Sequence, residues 1–269
     1  MIINIIHNNK KYKVDTTKYT DLSIPYEFNG KQPNFYNVEK GKVKPFQSNS
    51  ISYSISNGAS CNVPEISMNI HCTGTHTQCV GHLLKESNSV AECIDELYLP
   101  TILITVKPIN FYKCSDTYHV KVDKNEQVIS SDLLKEQYEK YANNKPLSII
   151  IRTLPNPEEK QFYSFSESLP PFFTNDALKF LSNKIEHLIV DIPSIDRMED
   201  DGILGNHRIF WSNNGNPNDE VDPNSKKTIT ELAYIPNHVP DGFYFMNIQM
   251  PNFKLDAAPS RPVIIKTFK

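Results

Sequence analysis

The sequence predicts a mixed α/β fold with more sheet than helix. A series of segments is rich in β-branched and aromatic residues, at Ile51–Ile55, Ile66–Ile70, Thr101–Val106, Leu147–Arg152, His187–Ile192, Gly242–Ile248 and Val263–Thr267. Two helical segments are each followed by one of these strands. With 269 residues, 39% hydrophobic and 22% charged, the chain can bury a substantial core. Residues 1–269 are expected to form a single domain.

The apolar start Met1–Ile6 has no basic flank and no small-residue cleavage site, so it reads as a first strand rather than a secretory signal. It turns at Asn8-Asn9 into a second strand at Lys11–Val14. The segment Ser131–Tyr141 begins with a capping serine and carries an apolar stripe, so it predicts a helix. The segment Thr174–Ser182 does the same. A short helical turn is expected at Ile94–Leu97. Nineteen prolines against nine glycines mean that turns rely on Pro and Asn. The polar stretch Ser212–Lys227 is expected to be an exposed loop. It separates two segments with metal-ligating residues, so it could border a site.

A formal net charge of −3, with basic runs no longer than Lys10-Lys11 and Lys226-Lys227, excludes nucleic acid and anionic membranes as expected partners. No window approaches the ~18 apolar residues of a membrane span. Five cysteines (61, 72, 79, 93 and 114) are an odd number in a chain without a signal. They predict a reducing, cytoplasmic setting rather than a disulfide framework, with Cys79 packed in the core.

The densest chemistry lies in His71-Cys72-Thr73-Gly74-Thr75-His76-Thr77-Gln78-Cys79-Val80-Gly81-His82. Neutral imidazole is the commonest protein ligand for zinc and similar metals. If the strand Ile66–Ile70 continues, His76 and Gln78 share one face, because side chains repeat every two residues. His82 follows beyond the strand end, where it could serve as an acid/base. His207, in Asp200–Trp211, and Glu231, in Thr228–Leu232, could add ligands. Each is a weak signal by composition alone.

These residues bring out a resemblance. The chain resembles the cyclase family of metal-dependent hydrolases, which includes kynurenine formamidase and isatin hydrolase. Its signature is His-x-Gly-Thr-His-x-Asp-x-Pro-x-His, and Gly74-Thr75-His76 and His82 match in register. Asp21-Leu22-Ser23-Ile24-Pro25 is similar to the family's Asp-Leu-Ser-x-Pro segment. Ile151-Arg152-Thr153 is similar to its Arg-Thr strand end, and Val190-Asp191-Ile192-Pro193-Ser194-Ile195-Asp196 to its Gly-Ile-Asp-x-Pro-Ser-Ile-Asp run. The resemblance spans roughly residues 20 to 265. It implies a swivelling β/β/α domain, sheet-rich with a few flanking helices, with His76, His207 and Glu231 as metal ligands and His82 as the acid/base. It also implies a homodimer or homotetramer.

The chain departs from the signature at three places. The first His falls on Cys72, with His71 one residue earlier. A small bulge could bring His71 inward, or Cys72 itself could ligate or pack as a small hydrophobe. The family's Asp is Gln78, which can offer one carbonyl oxygen but brings no charge to hold two cations together. The family's Pro is Val80. One divalent metal is therefore expected, zinc in preference to manganese. The implied activity is hydrolysis of an amide in a small molecule, an N-formyl arylamine, lactam or related cyclic amide, with Phe172, Phe173, Phe210 and Trp211 as candidate pocket or core residues. The alternative is a catalytically impaired cyclase-fold protein that binds small molecules or regulates.

Overall fold

The computed structural model describes residues 1–86 and 88–268. A ten-stranded sheet runs through it, built from β1 (Ile2–His7), β2 (Lys10–Asp21), β3 (His76–Cys79), β4 (Leu99–Val106), β5 (Ser148–Thr153), β6 (His187–Val190), β7 (Thr228–Glu231), β8 (Gly242–Gln249), β9 (Ala257–Pro259) and β10 (Arg261–Phe268), in the order β1-β2-β10-β8-β4-β5-β6-β7-β3-β9. Strands β4 to β7 are parallel neighbours, and both flanks are antiparallel. The parallel strands are uninterrupted apolar runs, as sheets covered on both faces require. Ile102, Ile104, Ile149, Ile151, Leu188 and Val190 enter one core, and Leu103, Ile150 and Ile189 enter the other.

Three helices line the first face: α1 (Ser131–Tyr138), α2 (Asn175–Ser182) and α3 (Gly205–Trp211). Thr174 caps α2 by accepting a hydrogen bond from Ala177 N. Phe172, Phe173, Phe210 and Trp211 are all buried, and Phe173, Phe210 and Trp211 belong to this core. Helix α3 carries no sequence cue: its N-cap is Leu204, held in the left-handed region at φ 53°.

Two local expectations need correction. Ile66–Ile70 does not continue into His76. Residues Pro64–Ser67 pair instead with Lys42–Pro45 in a separate exposed arm, and the chain then turns before β3. The alternation of Ile66–Ile70 reflects that arm rather than a half-buried strand. The helical turn expected at Ile94–Leu97 forms earlier, at Val90–Glu92, as a single 3-10 turn. Among the described residues no helix is long and apolar enough to cross a membrane.

His187, at the start of β6, is buried with Nδ1 2.8 Å from Thr228 Oγ1. Burial pushes its imidazole from the ordinary 6.5 down to about 4. The unfolded chain therefore binds the extra proton first. This contribution to stability is complete above pH 6.5 and is lost as pH falls toward 4. The full loss corresponds to roughly 3 kcal/mol. His187→Gln is expected to flatten the pH dependence of unfolding free energy across that window, measured by urea titration. An unchanged slope refutes the assignment.

Candidate metal centre

Strands β7 and β3 are antiparallel neighbours, with Glu231 opposite His76 and Ile229 opposite Gln78. Residues directly opposite each other share a face. His76, Gln78 and Glu231 thus lie together on the helix-covered side of the sheet, where α3 delivers His207. The place is where the parallel strands end and pairing changes direction, a common position for ligand sites in α/β sheets.

Backbone contacts fix the geometry before any side chain acts. Thr75 Oγ1 accepts from Ile24 N at 2.8 Å and donates to Leu232 O at 2.5 Å, tying the Asp21–Pro25 segment, β3 and the end of β7 together. Leu232 adopts a left-handed φ of 54°, so the chain turns sharply just after Glu231. Gly74 packs against Tyr26; a Cβ there would meet its ring at 2.6 Å. Gly74 O in turn accepts from His76 Nδ1 at 3.1 Å.

That hydrogen bond sets the tautomer. With Nδ1 donating to a carbonyl, neutral His76 presents a bare Nε2, which faces Glu231 Oε2 at 3.4 Å and has no hydrogen-bond partner. His207 follows the same rule. Its Nδ1 donates to Asp196 Oδ2 at 2.7 Å, leaving Nε2 3.7 Å from Glu231 Oε1. Asp196 also accepts from the backbone N–H groups of Asn206 and His207, so one carboxylate both starts α3 and orients its histidine. Burial works against a charged His207, but the hydrogen bond and charge of Asp196, with Glu231, outweigh it and raise its pKa. Burial also works against ionised Glu231. Contact with His76, the His207 charge and the bond from Ile195 N at 3.0 Å outweigh burial and hold the carboxyl below its ordinary range.

Gln78 occupies the middle of this group. Its Nε2 donates to Glu231 Oε2 at 2.9 Å and to His207 Nε2 at 3.1 Å, while Oε1 is buried without a partner. The amide N–H groups thus meet the lone pairs that a cation would take. Two imidazole nitrogens, His76 Nε2 and His207 Nε2, face the two oxygens of the Glu231 carboxylate, and with both imidazoles neutral this set of donors suits a divalent metal. Turning the Gln78 amide over would direct Oε1 to the same centre.

The mouth of the site holds a residue that sequence reasoning missed. Asp256 Oδ2 lies 3.1 Å from His82 Nδ1 and 3.2 Å from His71 Nε2. Contacts with these two histidines hold its carboxyl far below the ordinary range. Asp256 is 174 positions from His82 in the chain, just before β9, and only the pairing of β9 with β3 brings it near. The rings link the mouth to the centre, with centroids 4.4 Å apart for His71 and His82, 5.1 Å for His71 and His76, and 5.8 Å for His82 and His207. Burial lowers the His82 pKa against the opposing pull of Asp256.

Cys72 takes the packing alternative. It packs beside the apolar cluster of Ile24, Phe35 and Leu232. Burial, with the Glu231 charge, pushes its thiol up to about 11. His71 is the residue that turns inward. The loop Ser212–Lys227 packs against residues 88–92 through Pro223 and Lys226.

A family model described as a putative cyclase matches residues 20–197. Kynurenine formamidase of Bacillus thuringiensis (strain Al Hakam) is 26% identical over 162 residues, 60% of this chain and 65% of the relative. The chain therefore spans just under two thirds of that relative's length. Kynurenine formamidase of Bacillus anthracis is 25% identical over 253 residues, 93% of this chain and 98% of the relative. A structure described as a potential metal-dependent hydrolase with cyclase activity aligns with TM-score 0.61 at 18% identity, covering 94% and 99% of the two chains. Isatin hydrolase A from Ralstonia solanacearum aligns with TM-score 0.56 at 14% identity, covering 92% and 91%. These structural likenesses establish the fold.

Gln78→Asp is expected to raise metal content or affinity, because it replaces the N–H donors with charge. Without metal, that variant sets two carboxylates side by side, so added zinc should raise its Tm more than it raises that of the parent protein. Elemental analysis with thermal melts checks both. No change in metal content or affinity, with equal zinc shifts, rules out Gln78 as the limit on the site.

Proposed function

This chain belongs to the putative cyclase family, and on that premise we propose that it is a metal-dependent hydrolase. Its substrate class is a small amide: an N-formyl arylamine, a lactam or a related cyclic amide. The single observation that carries the reading is the convergence of His76 Nε2, His207 Nε2 and the Glu231 carboxylate, with both imidazole Nδ1 protons already committed elsewhere. His76, His207 and Glu231 would hold one divalent ion, zinc before manganese, with Gln78 Oε1 available as a further ligand. Bound there, the ion supplies an acidified water and polarises the substrate carbonyl.

The chain's own residues do the rest. Ionised Asp256 accepts the His82 Nδ1 proton and so leaves His82 Nε2 as a free base. The lowered pKa of His82 keeps that nitrogen unprotonated near neutral pH, ready to take a proton from water and return it to the departing nitrogen. Asp256 is a positioning residue in this scheme, and Asp196 plays the same part for His207.

The ten-stranded sheet, continuous from Ile2 to Phe268, supports reading residues 1–269 as one domain. Unpaired cysteines support a reducing, cytoplasmic setting. The arm at residues 42–67 exposes Phe46, Ile51, Ile55, Val63 and Ile66. Apolar side chains exposed on one arm support assembly into a homodimer or homotetramer, which light scattering after size exclusion measures directly; a monomer at all concentrations removes that part of the reading.

A second reading has one observation in its favour. Gln78 already meets the lone pairs of Glu231 and His207, as it would in a cyclase-fold protein that binds small molecules without hydrolysing them. Metal analysis separates the two. About one zinc or manganese per chain, lost in His76→Ala and in Glu231→Ala, is expected for the enzyme. Protein that takes up no metal even after reconstitution rejects it. With metal in place, turnover of N-formyl arylamides, lactams or lactones completes the test. His82→Ala is expected to keep its metal and lose about 10²–10⁴-fold in kcat. Loss of metal in that variant would make His82 a ligand instead.

A further inference from the structure

The proposed hydrolysis makes no use of His119. Its side chain is only 1% exposed. Its Nδ1 stands 3.0 Å from Asn175 Oδ1, on the first residue of α2. An amide oxygen accepts, so Nδ1 carries the proton and neutral His119 presents a bare Nε2. That nitrogen is buried without a hydrogen-bond partner. It faces Asp200 Oδ2 at 3.6 Å. Asp196 lies beside them, and one donor atom from each of the three residues falls within 4.8 Å of the other two. The ring is seated against the start of α3, where a Cβ on Gly205 would meet it at 2.4 Å.

A lone pair aimed at buried carboxylates is repelled unless positive charge sits between them. A proton and a metal ion can each supply that charge, and the spacing separates them. A proton shared by imidazole and carboxylate draws N and O to about 2.7–2.9 Å. Donor atoms bound to one divalent ion at about 2.0–2.2 Å stand roughly 3–3.6 Å apart. The observed 3.6 Å matches the ion. One imidazole and two carboxylates make a more oxygen-rich set than the one around Glu231, and such a set suits manganese.

We propose that His119, Asp200 and Asp196 form a second metal site, which takes a divalent cation of the manganese type. The ion ties the start of α2, through His119, to the segment that leads into α3. Asp196 joins this site to the first centre, since its Oδ2 also accepts from His207 Nδ1. Both carboxylates already accept other groups. Asp200 accepts from Gly202 N at 3.0 Å and Leu204 N at 2.6 Å. Asp196 accepts from Asn206 N at 2.8 Å, His207 N at 3.2 Å and the Tyr118 hydroxyl at 3.2 Å. These bonds occupy lone pairs, so the ion is held more weakly than at Glu231 and is lost from protein purified without added metal. The site stands whether or not the first centre is catalytic.

The test is titration of the metal-stripped full chain with Mn²⁺, with free ion counted by electron paramagnetic resonance. The parent protein is expected to bind a weak equivalent besides any tight one. His76→Ala should keep the weak equivalent. His119→Gln should lower its affinity by at least about tenfold and leave the tight one in place. Asp200→Asn should do the same, and it decides the matter if His119→Gln fails to fold. Weak binding without a tight equivalent, lost in His119→Gln, supports this site while rejecting metal at Glu231. A weak equivalent of equal affinity in the parent and in the folded variants overturns the proposal, as does its absence from all of them. Binding that disappears in His76→Ala but persists in His119→Gln assigns the ion to the first centre alone and also overturns it.

Discussion

The buried carboxylate of Glu231 is the constraint around which the centre is arranged. Removing such a charge from water costs several kcal/mol. Two N–H donors, Ile195 N and Gln78 Nε2, return about 1.5–3 kcal/mol each at best. Contact with His76 and the charge of His207 add to these and outweigh burial, so the carboxyl stays below its ordinary range. In the proposed hydrolase a divalent cation among the same atoms would add further to that stabilisation. Thr75, Asp196 and the sharp turn at Leu232 all hold this carboxylate and its partners in register.

Much of the centre was legible because its residues sit inside short runs with local meaning. Gly74-Thr75-His76 combines a glycine fitted to the Tyr26 ring, a threonine that clamps two other segments and a histidine whose tautomer the glycine carbonyl sets. Asp196, read only as the end of a familiar run, proves to be the anchor of His207. The parallel strands were legible because burial on both faces demands unbroken apolar runs. Strands β5 and β6 appear within two residues of their expected ends, since nothing else in those stretches competes for the backbone.

What escaped the sequence depends on long-range pairing. Asp256 enters the site through the β9–β3 pairing, and no local pattern around it announces a partner for His82. Helix α3 is short, and Asp196, eleven residues before His207, satisfies its first N–H groups. The usual capping residue beside the helix is therefore unnecessary, and the start signal is missing. The reading of Ile66–Ile70 failed for a complementary reason. Its alternation is real, but the partner strand Lys42–Pro45 forms an exposed arm, so alternation there does not mark a half-buried face.

The one-residue offset between His71 and Cys72 has chemical consequences. Cys72 packs against apolar neighbours, and burial pushes its thiol up to about 11. His71 meets Asp256 instead, which gives that carboxylate two histidine contacts at the mouth. One anion, Glu231, is left facing His76 and His207, and a separate anion, Asp256, serves His82 and His71. In the proposed hydrolase, charge would thereby be divided between holding an ion and moving a proton. With Gln78 supplying no third charge between them, that proposal calls for a single metal ion at this centre. A second dication would have to share the mouth with two imidazoles and one carboxylate already engaged with one another.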